Sequence, residues 1–428
     1  MRPSRIVISG IGVASPFGAG RECFWEHVRL GRSATRRIDH FDPAPYACQV
    51  AAALPAMSID QAPRLTRHPS FDGIDEDDVL RERQEARRYS RASLAGVIAA
   101  REAWHDAGLR LGEPGAGVII GTGGGGIELG EQQYREFFTD GLKRVTPYAI
   151  PNSICGMLSS EISMALQVHG ISHVLSTGCT SSTDATGYAL ALLTAGDADV
   201  LLCGGVDACV TPGMIYGFSR MRVVSTAFND TPEAASRPFD QSRDGFVLGE
   251  GAWMYVLERE DRARARGAHV YAAIEGYGST CDAYHRVQMD PEGVQIVRAM
   301  SAALQRSGRA PESIGYVNFH GTSTQLNDAI EIRCVREVFG EHADDLCGSS
   351  TKSMVGHPQG ASGACGIVTT ALAIDRGFLP PTINVTRLDP ACEMDVLPNE
   401  GRAVEIEAAL CNCLGFGSKN SAVVVGRA

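Results

Sequence analysis

Residues 172–187 read Ser172-His-Val-Leu-Ser-Thr-Gly-Cys179-Thr-Ser-Ser-Thr-Asp-Ala-Thr-Gly187. A short strand-like run over 173–176 ends at Gly178, a cysteine stands at the turn, and a helix-forming stretch, Tyr188-Ala-Leu-Ala-Leu-Leu193, follows. Strand, tight turn and helix in that order form the building unit of an α/β protein. The cysteine sits where the positive end of a helix dipole favours a thiolate, so Cys179 is predicted to be a nucleophile. The small residues around it leave a backbone N–H free to face an incoming carbonyl as an oxyanion donor. A buried structural thiol is the plainer alternative for one of 13 cysteines.

The same alternation continues on both sides. Strands are predicted at 5–9, 117–120, 173–176, 199–203 and 252–257, then at 269–274, 315–319, 346–349, 409–413 and 421–425. Helices fit 84–107, 128–138, 180–195, 292–307, 328–339 and 361–376. The charged run 258–267 divides the chain into halves, 2–260 and 268–426. Each half holds strands and then a strand running into a Gly/Ser/Thr turn and a helix, which points to an internal duplication. Residues 54–88 are the least regular stretch, with an acidic run from Asp72 to Asp78, and read as a solvated loop.

Composition bounds the function. The chain has 428 residues, a net charge of −11 and 48 glycines. An acidic balance argues against bulk nucleic-acid binding. There is no apolar run of roughly 18 residues of the kind that spans a bilayer. The N-terminal apolar stretch is broken by Gly10 and Gly12 and reads as a strand rather than a signal peptide. An odd cysteine count with no CxxC pair fits reduced thiols and a cytoplasmic location better than a disulfide framework.

Two histidines join Cys179. His320, in Asn318-Phe-His-Gly-Thr-Ser-Thr324, ends an apolar strand. His357 follows Lys352 by five residues in Thr351-Lys-Ser-Met-Val-Gly-His357 and precedes a small-residue helix. A histidine ending a core strand is usually a satisfied structural residue. Both of these lie in loops after strands, where α/β folds carry their catalytic groups. Two imidazoles can polarise a thioester carbonyl and stabilise a developing enolate. No HExxH or other metal-ligand spacing accompanies them, so no metal is expected. Gly121-Thr-Gly-Gly-Gly-Gly126 matches GxGxxG, but a dinucleotide site needs a following strand, and Pro147 and Pro151 interrupt that region. No GxSxG elbow occurs, which disfavours a serine hydrolase.

With Arg237-Pro-Phe-Asp-Gln-Ser-Arg-Asp-Gly-Phe-Val-Leu-Gly-Glu-Gly251, Pro380-Pro-Thr-Ile-Asn384 and Cys411-Asn-Cys-Leu-Gly-Phe-Gly-Ser-Lys-Asn420, these motifs resemble the β-ketoacyl-ACP synthases of the thiolase-like condensing enzymes. The likeness spans essentially the whole chain. It is nearest to synthase II and to the ketosynthase chain of type II polyketide synthases. It implies a duplicated five-layer αβαβα fold of the α/β class and a homologous dimer. It also implies decarboxylative Claisen condensation of a Cys-bound acyl chain with malonyl-ACP, giving a 3-oxoacyl-ACP. Cys179 then matches the nucleophile, His320 and His357 the histidine pair, and Lys352 the lysine. Phe416 matches the gating aromatic whose N–H completes the oxyanion hole, and Thr322 and Thr324 the hydroxyls that receive the phosphopantetheine arm. No cofactor is expected beyond that arm, which arrives on the acyl carrier protein.

A polyketide pathway, with polyene products among the candidates, and a chain-length factor as heterodimer partner are the expectation. A fatty-acid-elongating synthase II homodimer is the alternative. A non-catalytic subunit resembling a chain-length factor is disfavoured by the presence of Cys179 and both histidines, and a thiolase by its need for a second cysteine as base. Arg222 matches a carrier-contacting arginine, and Arg87 and Arg88, on the helix after the acidic loop, are candidates for the rest of the docking patch. The chain departs from the family at Gly366, where a glutamate is usual. That leaves Lys352 without its customary carboxylate and Asp328 or Glu331 as substitutes. Leu414 and Ser418-Lys419 also depart from the usual gate loop. Gly124 and Ala149 stand where synthase II has larger side chains, so the acyl tunnel is expected to be wider or longer.

Overall fold

The computed structural model describes residues 5–66, 83–140 and 145–428. Ten strands run in one path: β1 (Ile6–Ser15), β2 (Ala116–Gly121), β3 (Ser172–Leu175), β4 (Val200–Asp207) and β5 (Gly251–Arg259), then β6 (Ala272–Cys281), β7 (Tyr316–Asn318), β8 (Cys347–Ser349), β9 (Ala408–Gly415) and β10 (Lys419–Gly426). Their order is β8-β7-β9-β10-β6-β1-β5-β4-β2-β3. Read outward from the centre, the first half runs 1-5-4-2-3 and the second 6-10-9-7-8, so the two halves have the same topology. They meet where β1 pairs antiparallel with β6, Ile6 opposite Ile274. The duplication predicted from the sequence is therefore a property of the fold.

Helices complete five layers. α1 (Arg91–Asp106) and α3 (Met157–Leu166) cover the outer face of the first half-sheet. α6 (Val294–Ser307) and α7 (Gln325–Phe339) cover the outer side of the second half. Between the half-sheets lie α4 (Ser181–Ala195) and α8 (Ser362–Arg376), which pack on each other and on strands of both halves. α8 is buried from Ser362 to Ile374, which explains its lack of charged residues until Asp375. Both helices begin at the site described below, so the layer that fills the core also aims it.

Matching glycines let the outer helices sit directly on the central strands. A Cβ on Gly10 or Gly12 of β1 would lie 2.2 Å from the Ala103 carbonyl oxygen or 2.0 Å from that of Ala99, both on α1. On β6, Gly276 and Gly278 face the Ala303 and Ala299 oxygens of α6 in the same way, each at 2.1 Å. Gly12→Ala should force α1 off the sheet and lower stability by about 3 kcal/mol, read as a fall in Tm. An unchanged Tm would contradict this packing.

Every predicted strand overlaps an observed one, but β1 runs on to Ser15 and β6 to Cys281, well past the expected ends at 9 and 274, while most predicted helices fall within a turn of their expected positions. The exception is the helix predicted over 84–107. The chain turns at Arg87 and Arg88, and α1 starts afresh at Arg91 with the Ser90 hydroxyl accepting from the Ser93 N–H. A side-chain cap of this kind marks a true helix start. Arg87 and Arg88 are thus exposed turn residues rather than part of that helix. The acidic run 72–78 lies outside the described residues. The charged connector is anchored by Glu258, whose buried carboxylate accepts from Ser9, Arg262 and Arg266. Among the described residues no helix is long and apolar enough to cross a membrane.

Candidate active site

Cys179 lies in the turn Gly178–Thr180 that leads straight into α4. The turn is held from inside: Ser181 Oγ accepts from the Thr177 N–H and donates to the carbonyls of Gly178 and Thr122. His320 follows β7, and His357 follows the short helix Lys352–Val355, its N–H donating to the Val247 carbonyl at 2.7 Å. These three segments, distant in sequence, converge. The Cys179 sulfur and one nitrogen of each histidine lie within 4.8 Å of one another, and the two rings stand edge to face at 5.2 Å. All three side chains are buried. No other group of histidine, cysteine and carboxylate ligands among the described residues is compact enough to hold a metal ion.

The electrostatics correct one expectation. Burial pushes the Cys179 thiol up to about 11, outweighing the Phe416 backbone N–H and the charge of Lys352, which act in the opposite direction. At neutral pH the resting group is a thiol, and the start of α4 does not by itself make it a thiolate. Alkylation of Cys179 by iodoacetamide should therefore quicken about tenfold per pH unit between pH 7 and 9. A plateau below pH 8 would contradict the shift. Burial first, and Lys352 second, hold both His320 and His357 well below the usual histidine range. Both rings are neutral at pH 7.

Lys352 is buried beside this cluster. A Cβ at Gly366 would lie 2.7 Å from Asn318 Oδ1, so the Asn318 amide fills the space in which a glutamate side chain would begin. Of the two substitutes, Asp328 is committed elsewhere, accepting from the Phe239 N–H at 2.9 Å and lying 3.6 Å from Arg243. Glu331 is the carboxylate whose pKa the Lys352 charge lowers, while burial raises it overall to about 7. Its oxygens accept from the N–H groups of His320 (2.7 Å) and Gly321 (2.8 Å), fixing the loop that carries His320.

Phe416 lies in the β9–β10 turn, half-buried, with its N–H directed at the Cys179 thiol. Its ring is 6.4 Å from that of Phe218, on α5 (Pro212–Met221). Arg222 ends that helix, exposed to solvent. One short helix thus connects a surface arginine to the aromatic beside the thiol. Arg88 stacks over Tyr148 at 5.0 Å and pairs with Glu85, while Arg87 is exposed. Thr322 and Thr324 are hydrogen-bonded to each other at 2.9 Å, just beyond His320. Leu414 is buried in the outer core of the second half, and Ser418 ties the gate turn to the His285 carbonyl at 2.9 Å.

The glycine-rich loop binds a carboxylate of its own chain. Asp207, at the end of β4, accepts from Thr122 Oγ1 and the N–H groups of Gly123 and Gly124, each at 2.8 Å, and from Gly360 N–H at 2.7 Å. The donors that would cradle a pyrophosphate are occupied, which removes the dinucleotide reading and fastens the loop to the segment after His357. Gly124 has its own neighbour. A Cβ there would lie 2.3 Å from the Cys209 sulfur, which takes the room a larger residue would need. Ala149 is buried at the start of the short helix Ala149–Ser153.

Similarity to known proteins follows the same outline. The family model described as β-ketoacyl synthase, N-terminal domain, matches residues 3–263, and that of the C-terminal domain matches 271–386. The chain is 38% identical over 434 residues to the 3-oxoacyl-[acyl-carrier-protein] synthase 2 of Coxiella burnetii, covering 100% of this chain and 99% of that protein. It superposes on the ishigamide ketosynthase/chain length factor with a TM-score of 0.86 and 31% identity, covering 100% of both chains. A type II PKS acyl-carrier protein in complex with its ketosynthase bound to the hexaketide gives 0.86 at 28% identity, again over the full length of both chains.

Proposed function

The chain belongs to the β-ketoacyl synthase family of condensing acyltransferases, and from that premise we propose that Cys179, His320 and His357 carry out a decarboxylative condensation on carrier-bound thioesters. The convergence of one thiol and two neutral imidazoles within 4.8 Å, in a buried pocket, is the observation that carries this assignment. The Cys179 sulfur attacks an acyl thioester and displaces the phosphopantetheine thiol, leaving an acyl-enzyme. The N–H of Phe416, beside the sulfur, is placed to take the developing oxyanion. Malonyl-ACP then loses CO₂, and the electron pair of the broken C–C bond becomes an enolate whose oxygen accepts a hydrogen bond from the His357 ring. Its carbon attacks the acyl-Cys carbonyl, the Cys179 sulfur leaves, and a 3-oxoacyl-ACP two carbons longer results. The intact mass of the protein after incubation with octanoyl-ACP should rise by one octanoyl group, mapped to the Cys179 peptide. No adduct, or one on another peptide, would overturn the assignment.

The proposed carrier docking site centres on Arg222, with Arg87 and Arg88 as further candidates. Carrier proteins of these systems are acidic, so a local cation is needed on a chain of net charge −11. Arg222→Glu should raise KM for acyl-ACP about tenfold at low salt, less at high salt, with kcat little changed. Unchanged kinetics would remove Arg222 from the interface.

The proposed partner is a homologous chain, in a pathway of polyketide type. β3 ends the strand path and α3 packs against it; Met164 on α3, Ile150 and Ile154 shortly before it, and Tyr134 and Phe138 on α2 (Ile127–Asp140) are exposed apolar side chains that a partner would cover. The likeness to a ketosynthase/chain length factor supports a heterodimer. The 38% identity to a 3-oxoacyl-ACP synthase 2 over the whole chain favours a self-dimer in fatty-acid elongation as the second reading. Purification from the native source distinguishes them: an equimolar homologue supports the first, and a self-dimer alone supports the second.

A further inference from the structure

The geometry points to Cys413 as a positioning residue that holds the His320 ring proton on Nδ1, leaving the Nε2 lone pair toward the reacting groups. The inference rests on the proposed condensation for its functional meaning, and on three short contacts for its substance. Cys413 lies on β9 and is buried. Its sulfur is 2.9 Å from the Cys179 carbonyl oxygen and 3.7 Å from His320 Nδ1, and the Thr183 hydroxyl reaches the same sulfur.

A carbonyl oxygen only accepts. At 2.9 Å the single S–H proton of Cys413 must therefore lie toward Cys179, because two sets of lone pairs at that distance would repel. The sulfur then presents only lone pairs to His320 Nδ1. That nitrogen has a stabilising contact only when it carries the proton, so a neutral His320 has its acceptor at Nε2. Burial pushes the Cys413 thiol far up, so it keeps the proton this arrangement uses.

His357 is set the opposite way. Its Nδ1 is 2.8 Å from Ser362 Oγ, at the first turn of α8. The buried hydroxyl donates to this nitrogen, since an unpaired buried O–H is the costlier arrangement. The His357 proton is then on Nε2. The two rings thus differ in character, each within 4.8 Å of the thiol: His357 offers a donor to a thioester or enolate oxygen, and His320 offers an acceptor for a proton. A symmetrical pair of donors would leave nothing to receive the Cys179 thiol proton, which the raised pKa of that thiol keeps in place at rest.

The test is the tautomer itself. Protein labelled with 15N-histidine, with the His320 signals assigned by their loss in His320→Asn, should show two-bond correlations of a neutral ring protonated at Nδ1. Cys413→Ala should shift His320 toward the Nε2-protonated form and lower kcat for acylation of Cys179 by octanoyl-ACP about tenfold, with KM little changed. Cys413→Ser, whose hydroxyl can donate to the Cys179 carbonyl and accept from Nδ1, should restore both. A His320 proton on Nε2 in the unaltered protein overturns the proposal without needing any variant. So does Cys413→Ala with both tautomer and acylation unchanged. If the unaltered protein releases no CO₂ from malonyl-ACP, the proposed reaction fails instead, and the tautomer spectrum still judges the role of Cys413.

Discussion

Cys179→Ala should abolish acyl transfer from acyl-ACP and reduce condensation by at least about 10⁴-fold, while malonyl-ACP decarboxylation persists. The division follows from the site. Acyl transfer and chain extension both need a sulfur at residue 179, and the neighbouring thiol, Cys413, is bonded to the Cys179 carbonyl with its proton firmly held. Decarboxylation needs only the His357 donor and a bound malonyl thioester. Alanine removes the sulfur without disturbing the turn, because that turn is held by Ser181 and Thr177 rather than by the thiol. Free CO₂ release by Cys179→Ala, measured with carboxyl-labelled malonyl-ACP, is the positive signal. An octanoyl adduct surviving in this variant would mean that another group is the nucleophile.

His357→Ala should do the converse: the octanoyl adduct on Cys179 still forms, and decarboxylation falls by about 10²–10⁴-fold. Burial and Lys352 keep the ring neutral, so its contribution is a directed hydrogen bond rather than a charge. Its loss leaves the enolate oxygen without that donor among buried side chains. His320→Ala is expected to slow acylation instead, because His320 is the acceptor next to the thiol. Equal loss of both half-reactions in His357→Ala would show that its ring serves the whole pocket rather than the enolate. A structural collapse is distinguished by Tm, since His357 is held at its backbone by Val247 independently of the ring.

Much of this architecture is legible in the sequence because it rests on local patterns. Strands as apolar runs of five or so residues, glycine turns and helices of small residues each declare themselves within a short window. Cys179 and His320 stand out because each follows a strand and precedes a helix, and His357 because it precedes a small-residue helix, although the short helix Lys352–Val355 separates it from its strand. What escapes is what depends on residues far apart in the chain. Glu331 grips the His320 loop from 11 residues away, Asp207 reaches the glycine loop across 83 and 84 positions, and Cys413 meets His320 across 93. An aspartate closing the buried run 200–207 is a signal that could have found Asp207. Gly124 reads as open space in the sequence only because Cys209, which fills it, comes just after another strand, β4. The direction of the thiol's shift is hidden for a related reason: the helix start is local, whereas the burial that outweighs it is built by residues far along the chain.

The arrangement has one central consequence, that a single buried pocket couples loss of CO₂ to carbon–carbon bond formation at Cys179. The direct measurement is to preload the protein with octanoyl-ACP, remove unbound carrier, add malonyl-ACP labelled at C2 and at the free carboxyl carbon, and follow products by mass spectrometry. The expected result is a 3-oxodecanoyl-ACP carrying the C2 label, with one labelled CO₂ released per product and the acyl group lost from Cys179. Recovery of octanoyl-enzyme unchanged, with no extended acyl-ACP, would contradict it.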